Sequence, residues 1–431
     1  MTEEDRGEPL RRTLSAWDVV SLGLNGVIGS GIFLLPGSAA RRMGPAALVP
    51  LLFAGALCFV IALCYAEVGS RFSATGGAYL YARRSFGGFV GFSVGWMVWW
   101  VRVISGAALA NAFAVVALEP FDPAAWLDEA VAAAVLVGLA LPNLLGAKAG
   151  AWVTNAMTVA KLLPLLLFVG AGAFVASGDA FAPFAPRGWS PFADTTLLLL
   201  WAFVGFEMLA VPAGEMRDPV RAVPRALGLV MGLVTGLYAA VFAVALGTHP
   251  SLAGSENPVA EAAPTFLGPV GGAIVAIGIA ASVLGTNAGS ALVTPRCLYA
   301  LAEQRQIPPL FARVHPRFAT PWVAIAVSTA LSLALALSGT FEQLAVIAVV
   351  ARFVQYLSTC VALLVLRRRE RRDEAPPARL RLPGGPVVAL LALGLSLALV
   401  SQAEPVQLFA GAAAWISGVP FFLWFRRRRS A

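Results

Sequence analysis

Apolar residues run along this chain in long continuous blocks rather than in alternation with polar ones. Twelve blocks stand out, at 16–40, 46–70, 86–118, 127–145, 150–176, 194–214, 222–247, 266–300, 321–338, 342–366, 386–402 and 406–425. Most approach or exceed the roughly 20 residues that a helix needs to cross a bilayer. Their continuity predicts membrane helices and excludes barrel strands, whose lipid-facing and inward residues alternate. The first block is faulted at its centre. Gly26-Val27-Ile28-Gly29-Ser30-Gly31-Ile32-Phe33 places three glycines and a serine at the depth where backbone groups have no water. Each glycine weakens a helix interior by about 1 kcal/mol relative to alanine.

Blocks 1–5 cover 16–176, and blocks 6–10 cover a similar length, 194–366. Five is odd, so a second five-helix unit must run inverted relative to the first. If the halves are repeats, block 6 should also be broken, and Trp201-Ala202-Phe203-Val204-Gly205-Phe206-Glu207 places a glycine and an acid at mid-membrane. Paired interruptions at matching positions of two halves point to a transporter's binding site. If the first helix unwinds at Ile28–Gly31, its outer half gains an N-terminus whose free N–H groups and positive dipole end suit a carboxylate. The inner half ends in free carbonyls, which suit an ammonium. One break thus offers both ends of an amino-acid zwitterion a partner.

Composition agrees. The 431 residues are 59% hydrophobic and only 13% charged, with a mean hydropathy of +0.79, as expected of an integral membrane protein. The start, Thr2-Glu3-Glu4-Asp5-Arg6, is polar, and the apolar run after it is too long for a signal-peptide core, so no cleaved leader is expected. With Arg6, Arg11 and Arg12 on one side, 24 Lys and Arg residues fall on that side, including the runs 367–372 and 426–429. Only Arg41, Arg42 and Arg187 fall opposite, where the loops are acidic (Glu119, Asp122, Asp128, Glu129, Glu256, Glu261). Cationic loops stay in the cytoplasm, so both termini are expected there. The same bias accounts for the net charge of +8 without a nucleic-acid partner. The expected organisation is a cytoplasmic tail (1–15), two repeats (16–176 and 194–366), a basic loop (367–385), two added helices (386–425) and a basic tail (426–431).

Four cysteines (Cys58, Cys64, Cys297, Cys360) lie in or near apolar blocks without metal-ligand spacing, and His249 and His315 lie in loops. No metal, no cofactor and no histidine proton relay is expected. Paired carboxylates at catalytic spacing and nucleophile–histidine sets are absent, which argues against an enzyme. A channel would need a continuous lined pore, commonly built from symmetric subunits.

Intramembrane charges are the remaining chemistry. Lys161 lies about eleven residues into block 5, roughly 16 Å deep at 1.5 Å per residue. Its stem cannot reach either surface from the midplane, and a central lysine costs about 2.5–3.5 kcal/mol on insertion scales, so function is its default explanation. It is a candidate for proton exchange or for a fixed cation held by carbonyls. Glu207 either accepts backbone N–H bonds from the unwound segment or senses protons. Arg102 and Arg352 must face the bundle interior, as an ion pair with Glu207, a gate or a contact to an anionic substrate. Glu67 fits a cap or loop contact and Arg296 an interface anchor. Trp96, Trp99 and Trp100 fit packing, whereas Trp17, Trp126, Trp152, Trp322, Trp415 and Trp424 fit an interfacial belt.

Three motifs in order resemble the amino acid–polyamine–organocation superfamily of transporters. They are Gly26 to Phe33; Tyr65-Ala66-Glu67-Val68-Gly69-Ser70-Arg71-Phe72 with Gly76-Gly77-Ala78-Tyr79; and Phe203 to Glu207 with Arg217-Asp218-Pro219 and Pro224. The resemblance implies an all-α fold of twelve transmembrane helices, a five-plus-five inverted repeat with two added C-terminal helices, and alternating access. It implies that Gly29, Ser30 and Gly31 bind the substrate carboxylate through N–H groups. Carbonyls near Ile28, at Phe203 and Val204 and beside Gly205 would take the amino group, and Trp201 would lie over the substrate. In proton-coupled members a lysine at the place of Lys161 stands where sodium-coupled relatives hold the ion. The expectation is sodium-independent, proton-linked transport of amino acids. The stretch Gly285–Leu292 has no aromatic, unlike an arginine-handling branch, which favours neutral substrates over basic ones. Exchange of basic or acidic substrates is the alternative.

Overall fold

The first apolar block is two helices, α1 (Ala16–Val27) and α2 (Gly31–Met43), separated by a non-helical Ile28. The computed structural model describes residues 10–118, 125–255, 257–338, 341–401 and 405–430. Residues 1–9 of the N-terminal tail, the acids Glu119, Asp122 and Glu256, and the side chains of Arg426–Arg429 lie outside this description. After α2 come α3 (Leu48–Gly69), α4 (Ala78–Phe86), α5 (Gly88–Leu118), α6 (Ala125–Leu145), α7 (Ala147–Gly172) and α8 (Phe192–Leu200). Then follow α9 (Pro219–Thr248), α10 (Pro258–Ala262), α11 (Pro264–Glu303), α12 (Trp322–Ser338), α13 (Phe341–Glu370), α14 (Gly385–Val400) and α15 (Pro405–Ser430). The protein is all-helical; among the described residues there is no strand, only one isolated bridge between Leu14 and Met216. Seven described segments are long and apolar enough to cross a membrane, and three shorter apolar helices accompany them.

The sixth block does not continue as a helix. After α8 the chain passes into three short 3₁₀ turns, Trp201–Phe203, Phe206–Ala210 and Ala213–Glu215. Two short helices escaped the hydropathy pattern. The nine-residue α4 carries Arg83 and Arg84 in its last turn, and the five-residue α10 is too short to show a period.

The start of α1 is fixed by a capping box: Ser15 N–H donates to Asp18 Oδ2 at 2.7 Å, and Asp18 N–H donates to Ser15 Oγ at 3.4 Å. Lys148 Nζ (2.5 Å) and Asn155 Nδ2 (2.7 Å) on α7 also reach the Asp18 carboxylate. Deeper, Ser21 Oγ lies 2.5 Å from Thr158 Oγ1, and Asn25 donates to Thr154 O at 2.8 Å. α1 is thereby bound along its length to α7. Around this pair pack α11 and α9, with α5 against α11, α3 against α9 and α13 against α5.

Two expectations about charged residues meet different fates. Glu67 is a buried tie: Arg367 grips it through Nε at 2.6 Å and Nη2 at 2.5 Å, and Leu382 N–H donates to it at 2.9 Å. It fastens α3 to the end of α13 and to the basic loop. Arg296 is no interface anchor. It is fully buried and pairs with the equally buried Glu215 at 2.6 and 3.0 Å. The correction has a simple origin: α11 runs past its expected end to Glu303, so Arg296 lies two turns inside the helix. Trp96 and Trp99 are buried, with indole N–H groups donating to Ala414 O and Ser328 Oγ, both at 3.0 Å. The six expected belt tryptophans are all exposed.

Candidate functional site

The two breaks touch. Gly205 adopts a left-handed φ of +112°, open to glycine and strained for other residues. A Cβ there would run into the carbonyl oxygen of Gly26, and a Cβ on Gly26 would strike Met208 and Gly205 O. Only two bare backbones can pass at this spacing. Tyr238 of α9 sits behind the contact, its hydroxyl 3.1 Å from Val27 O and 3.2 Å from Ala202 O. One hydroxyl proton serves the last carbonyls before both breaks, one at a time.

At the first break, Ile28 N–H still bonds Leu24 O, and Gly29 N–H bonds Val27 O. Among the described residues, the N–H groups of Ser30, Gly31 and Ile32 have no backbone acceptor. They form the unsatisfied start of α2, the arrangement that binds a carboxylate. Ile28 O is occupied. Lys161 Nζ donates to it at 2.6 Å, Ser282 Oγ lies at 3.0 Å and Thr286 Oγ1 at 3.3 Å. Lys161 is fully buried, and its other acceptors are Ser282 O (3.1 Å) and Thr286 Oγ1 (3.4 Å). Its three ammonium donors thus meet three neutral oxygens from α1's end and α11.

At the second break, Glu207 Oε2 accepts from Gly205 N–H at 3.0 Å and from the Tyr356 hydroxyl at 2.8 Å. Oε1 accepts from Gln355 Nε2 at 3.3 Å and faces Arg102 Nη2 at 3.7 Å and Arg352 Nε at 3.9 Å. Arg102 Nε and Nη2 and Arg352 Nε have no hydrogen-bond partner among the described residues.

Both breaks and these charges enclose one cavity of about 130 Å³. Gly29, Ser30, Gly31, Trp201, Val204, Gly205, Glu207, Arg102 and Arg352 line it. Lys161, Ile28 and Phe203 do not: each is fully buried, Lys161 behind Ile28, and Phe203 against Tyr238 with ring centroids 5.1 Å apart. Sequence reading missed Ser105, Thr286 and Ser290 in the lining and Ser282, Tyr238, Gln355 and Tyr356 behind it. A signal existed for four positions of α11. Ser282, Thr286, Ser290 and Thr294 recur every four residues in an otherwise apolar block, which is one face of a helix.

The family model for amino acid permeases matches residues 14–424. The chain belongs to the amino acid permease family. The permease is a multi-pass membrane transporter and not an enzyme. It is 28% identical to the serine/threonine exchanger SteT of Bacillus subtilis (strain 168), over the whole of both chains. It is 30% identical to cationic amino acid transporter 4 of Mus musculus, over 88% of this chain and 63% of that protein. It is 25% identical to the branched-chain amino acid permease BcaP of Bacillus subtilis (strain 168), over 96% of this chain and 91% of the other.

Proposed function

We propose that this permease moves neutral L-amino acids across the cytoplasmic membrane by alternating access, without sodium and coupled to protons, with both termini in the cytoplasm. Residues 16–176 and 194–366 form the two inverted repeats, and 386–425 the two added helices. The observation that carries this reading is Lys161 Nζ at 2.6 Å from Ile28 O, at the break itself. A cation built into the protein holds the oxygens there, so no metal ion is needed, and a lysine can release and regain a proton. The meeting of Gly26 with Gly205 supports the repeat, since block 1 and block 6 are then broken at the same depth.

The substrate carboxylate caps the Ser30–Ile32 N–H groups. Its ammonium goes to the second break at Val204, which lines the cavity, because Ile28 O is already filled and Phe203 is buried away from it. Trp201, with 41% of its surface exposed, borders the cavity as a gate. The cavity is smaller than the roughly 300–1,000 Å³ of drug-sized pockets, which favours small substrates. Glu207 holds the unwound segment through Gly205 N–H.

A second reading rests on the unpartnered guanidinium atoms of Arg102 and Arg352, which give the cavity two cations against one carboxylate. They favour an acidic side chain, and with it an exchanger. Uptake into proteoliposomes from a panel of neutral, acidic and basic amino acids, in sodium-free buffer, separates the readings. Saturable accumulation of one neutral class supports the first. Flux of aspartate or glutamate only against an internal amino acid supports the second. Non-saturable flux that never exceeds equilibrium would indicate a channel and overturn both.

A further inference from the structure

Beside α9, away from the central cavity, lies a cleft of about 320 Å³. Arg217, Arg221 and Arg225 line it together with Val20, Ala226 and Leu229. On α9, Arg221, Arg225, Leu229 and Leu233 recur every four residues and all are exposed, so they follow one outward side of the helix, and the exposed Arg217 lies just before its start. That side changes from charged to apolar at one level, with Leu229 and Leu233 about half exposed. An adjoining cleft of about 280 Å³ shares Arg221 and adds Arg379 from the basic loop. The two clefts hold four arginines against one carboxylate, Asp218. Among the described residues, Asp218 pairs with Arg221, at 3.8 Å with both side chains more than half exposed, too open to neutralise the group. Trp17, 51% exposed, neighbours the lining residue Ala16 on α1 and matches the aromatic residues found at membrane interfaces.

The bias of arginine toward one side of the membrane explains why these residues are on this side. It does not explain three that line one cleft, two of them on a helix side that runs on into exposed leucines. We propose that this cleft binds an anionic glycerophospholipid of the leaflet on the N-terminal side. The phosphate sits among Arg217, Arg221 and Arg225, where planar guanidinium forks bind phosphate oxygens in pairs, and one acyl chain lies along Leu229 and Leu233. The cleft also includes Leu14, whose N–H bonds Glu215 O at 2.9 Å and whose carbonyl accepts from Arg217 N–H at 3.2 Å. The lipid therefore braces the N-terminal segment against the start of α9.

The test uses the full-length protein, purified in neutral detergent and delipidated, with thermal unfolding as readout. Phosphatidylglycerol, phosphatidylcholine with the same chains, and inorganic phosphate are titrated separately. Phosphatidylglycerol should raise the melting temperature saturably, and the other two should not. An arginine near a bilayer surface strengthens anionic lipid binding by about fivefold, so R217Q/R221Q/R225Q should raise the half-saturating concentration at least about tenfold. R368Q/R371Q/R372Q removes the same charge elsewhere and should leave it unchanged. If the first variant does not fold, R221E is read in the same way. An unchanged response in the cleft variant, an equal response to phosphatidylcholine or phosphate, or an equal loss in the control variant would overturn the proposal.

Discussion

The ammonium nitrogen of Lys161 lies 2.6 Å from the carbonyl oxygen of Ile28, one residue past the end of α1. The pair comes from two helices 133 residues apart in sequence, and it places a buried charge on the backbone atom freed where the helix stops. Helix interruption and buried cation answer each other. The carbonyl has lost its helical donor, and among the described residues the lysine pairs with no carboxylate.

Glu207 does the corresponding work at the second break, with Gly205 N–H, Tyr356 and Gln355 as donors and two guanidinium groups beyond. Removing one member of a buried ion pair costs about 3–5 kcal/mol. Because both arginines stand beyond hydrogen-bond distance, E207Q is expected near the lower end, about 3 kcal/mol on that scale. Denaturant unfolding in detergent measures it. The double variant E207Q/R102M should recover part of the loss, and strict additivity would show that the two residues are not coupled.

Gly205 and Gly26 predict a steric result. G205A puts a side chain at φ +112° and onto Gly26 O. A strained backbone alone costs about 1–3 kcal/mol, and here a backbone collision adds to it. Gly228, within α9, has open space where a Cβ would go. G205A should lower the fraction of monodisperse protein after extraction, while G228A should leave it unchanged or slightly higher.

The buried pair of Arg296 and Glu215 gives a contrast between single and double substitution. R296M leaves a carboxylate buried without a cation and should destabilise by about 3–5 kcal/mol, whereas R296M/E215M should come close to the parent. A double variant as unstable as the single one would mean that the pair is not what holds this region.

Much of this arrangement was legible in the sequence. Continuous apolar blocks set the helices, a glycine cluster marked the first break and a glycine beside an acid marked the second, because a membrane helix tolerates them only where something else satisfies the backbone. Lys161, Glu207, Arg102 and Arg352 stood out since charge at that depth is costly. Arg296 was misread because its burial depends on a partner, Glu215, that a 3₁₀ turn brings inward from a loop-like stretch. Tyr238 and Tyr356 carry no sequence signal, since a tyrosine in an apolar block looks the same whether its hydroxyl meets a carboxylate or another group. The occupancy of Ile28 O by three donors was equally hidden, as it requires knowing how α7 and α11 face α1.

On the opposite side of the bundle from the N-terminal segment, Glu261 of α10 lies 3.6 Å from His249. The nearby Ser255 hydroxyl first, then the hydrogen bond from the Asn257 N–H at 3.2 Å and the nearby His249, hold its carboxyl below the usual 4.5 against a smaller opposing effect of burial. A depressed carboxyl pKa adds stability that is present above the unfolded value near 4.5 and is lost as pH falls through the folded value. The melting temperature of the parent should therefore exceed that of E261Q near pH 6, and the gap should close below about pH 4.5, the unfolded value. A gap that does not begin to narrow as pH falls below about 4.5 would contradict the assignment. The carboxylate is nearly half exposed, so the effect should be small.

The most direct test of the central claim is initial uptake of a neutral amino acid into sodium-free proteoliposomes, with and without an inward proton gradient, for the parent and for K161A. The account predicts saturable uptake by the parent without sodium, enhanced by the gradient, and loss of that enhancement in K161A even where residual flux persists. Uptake by K161A with the parent's proton dependence, or no uptake by the parent until sodium is added, would contradict the role given to Lys161 at the Ile28 carbonyl.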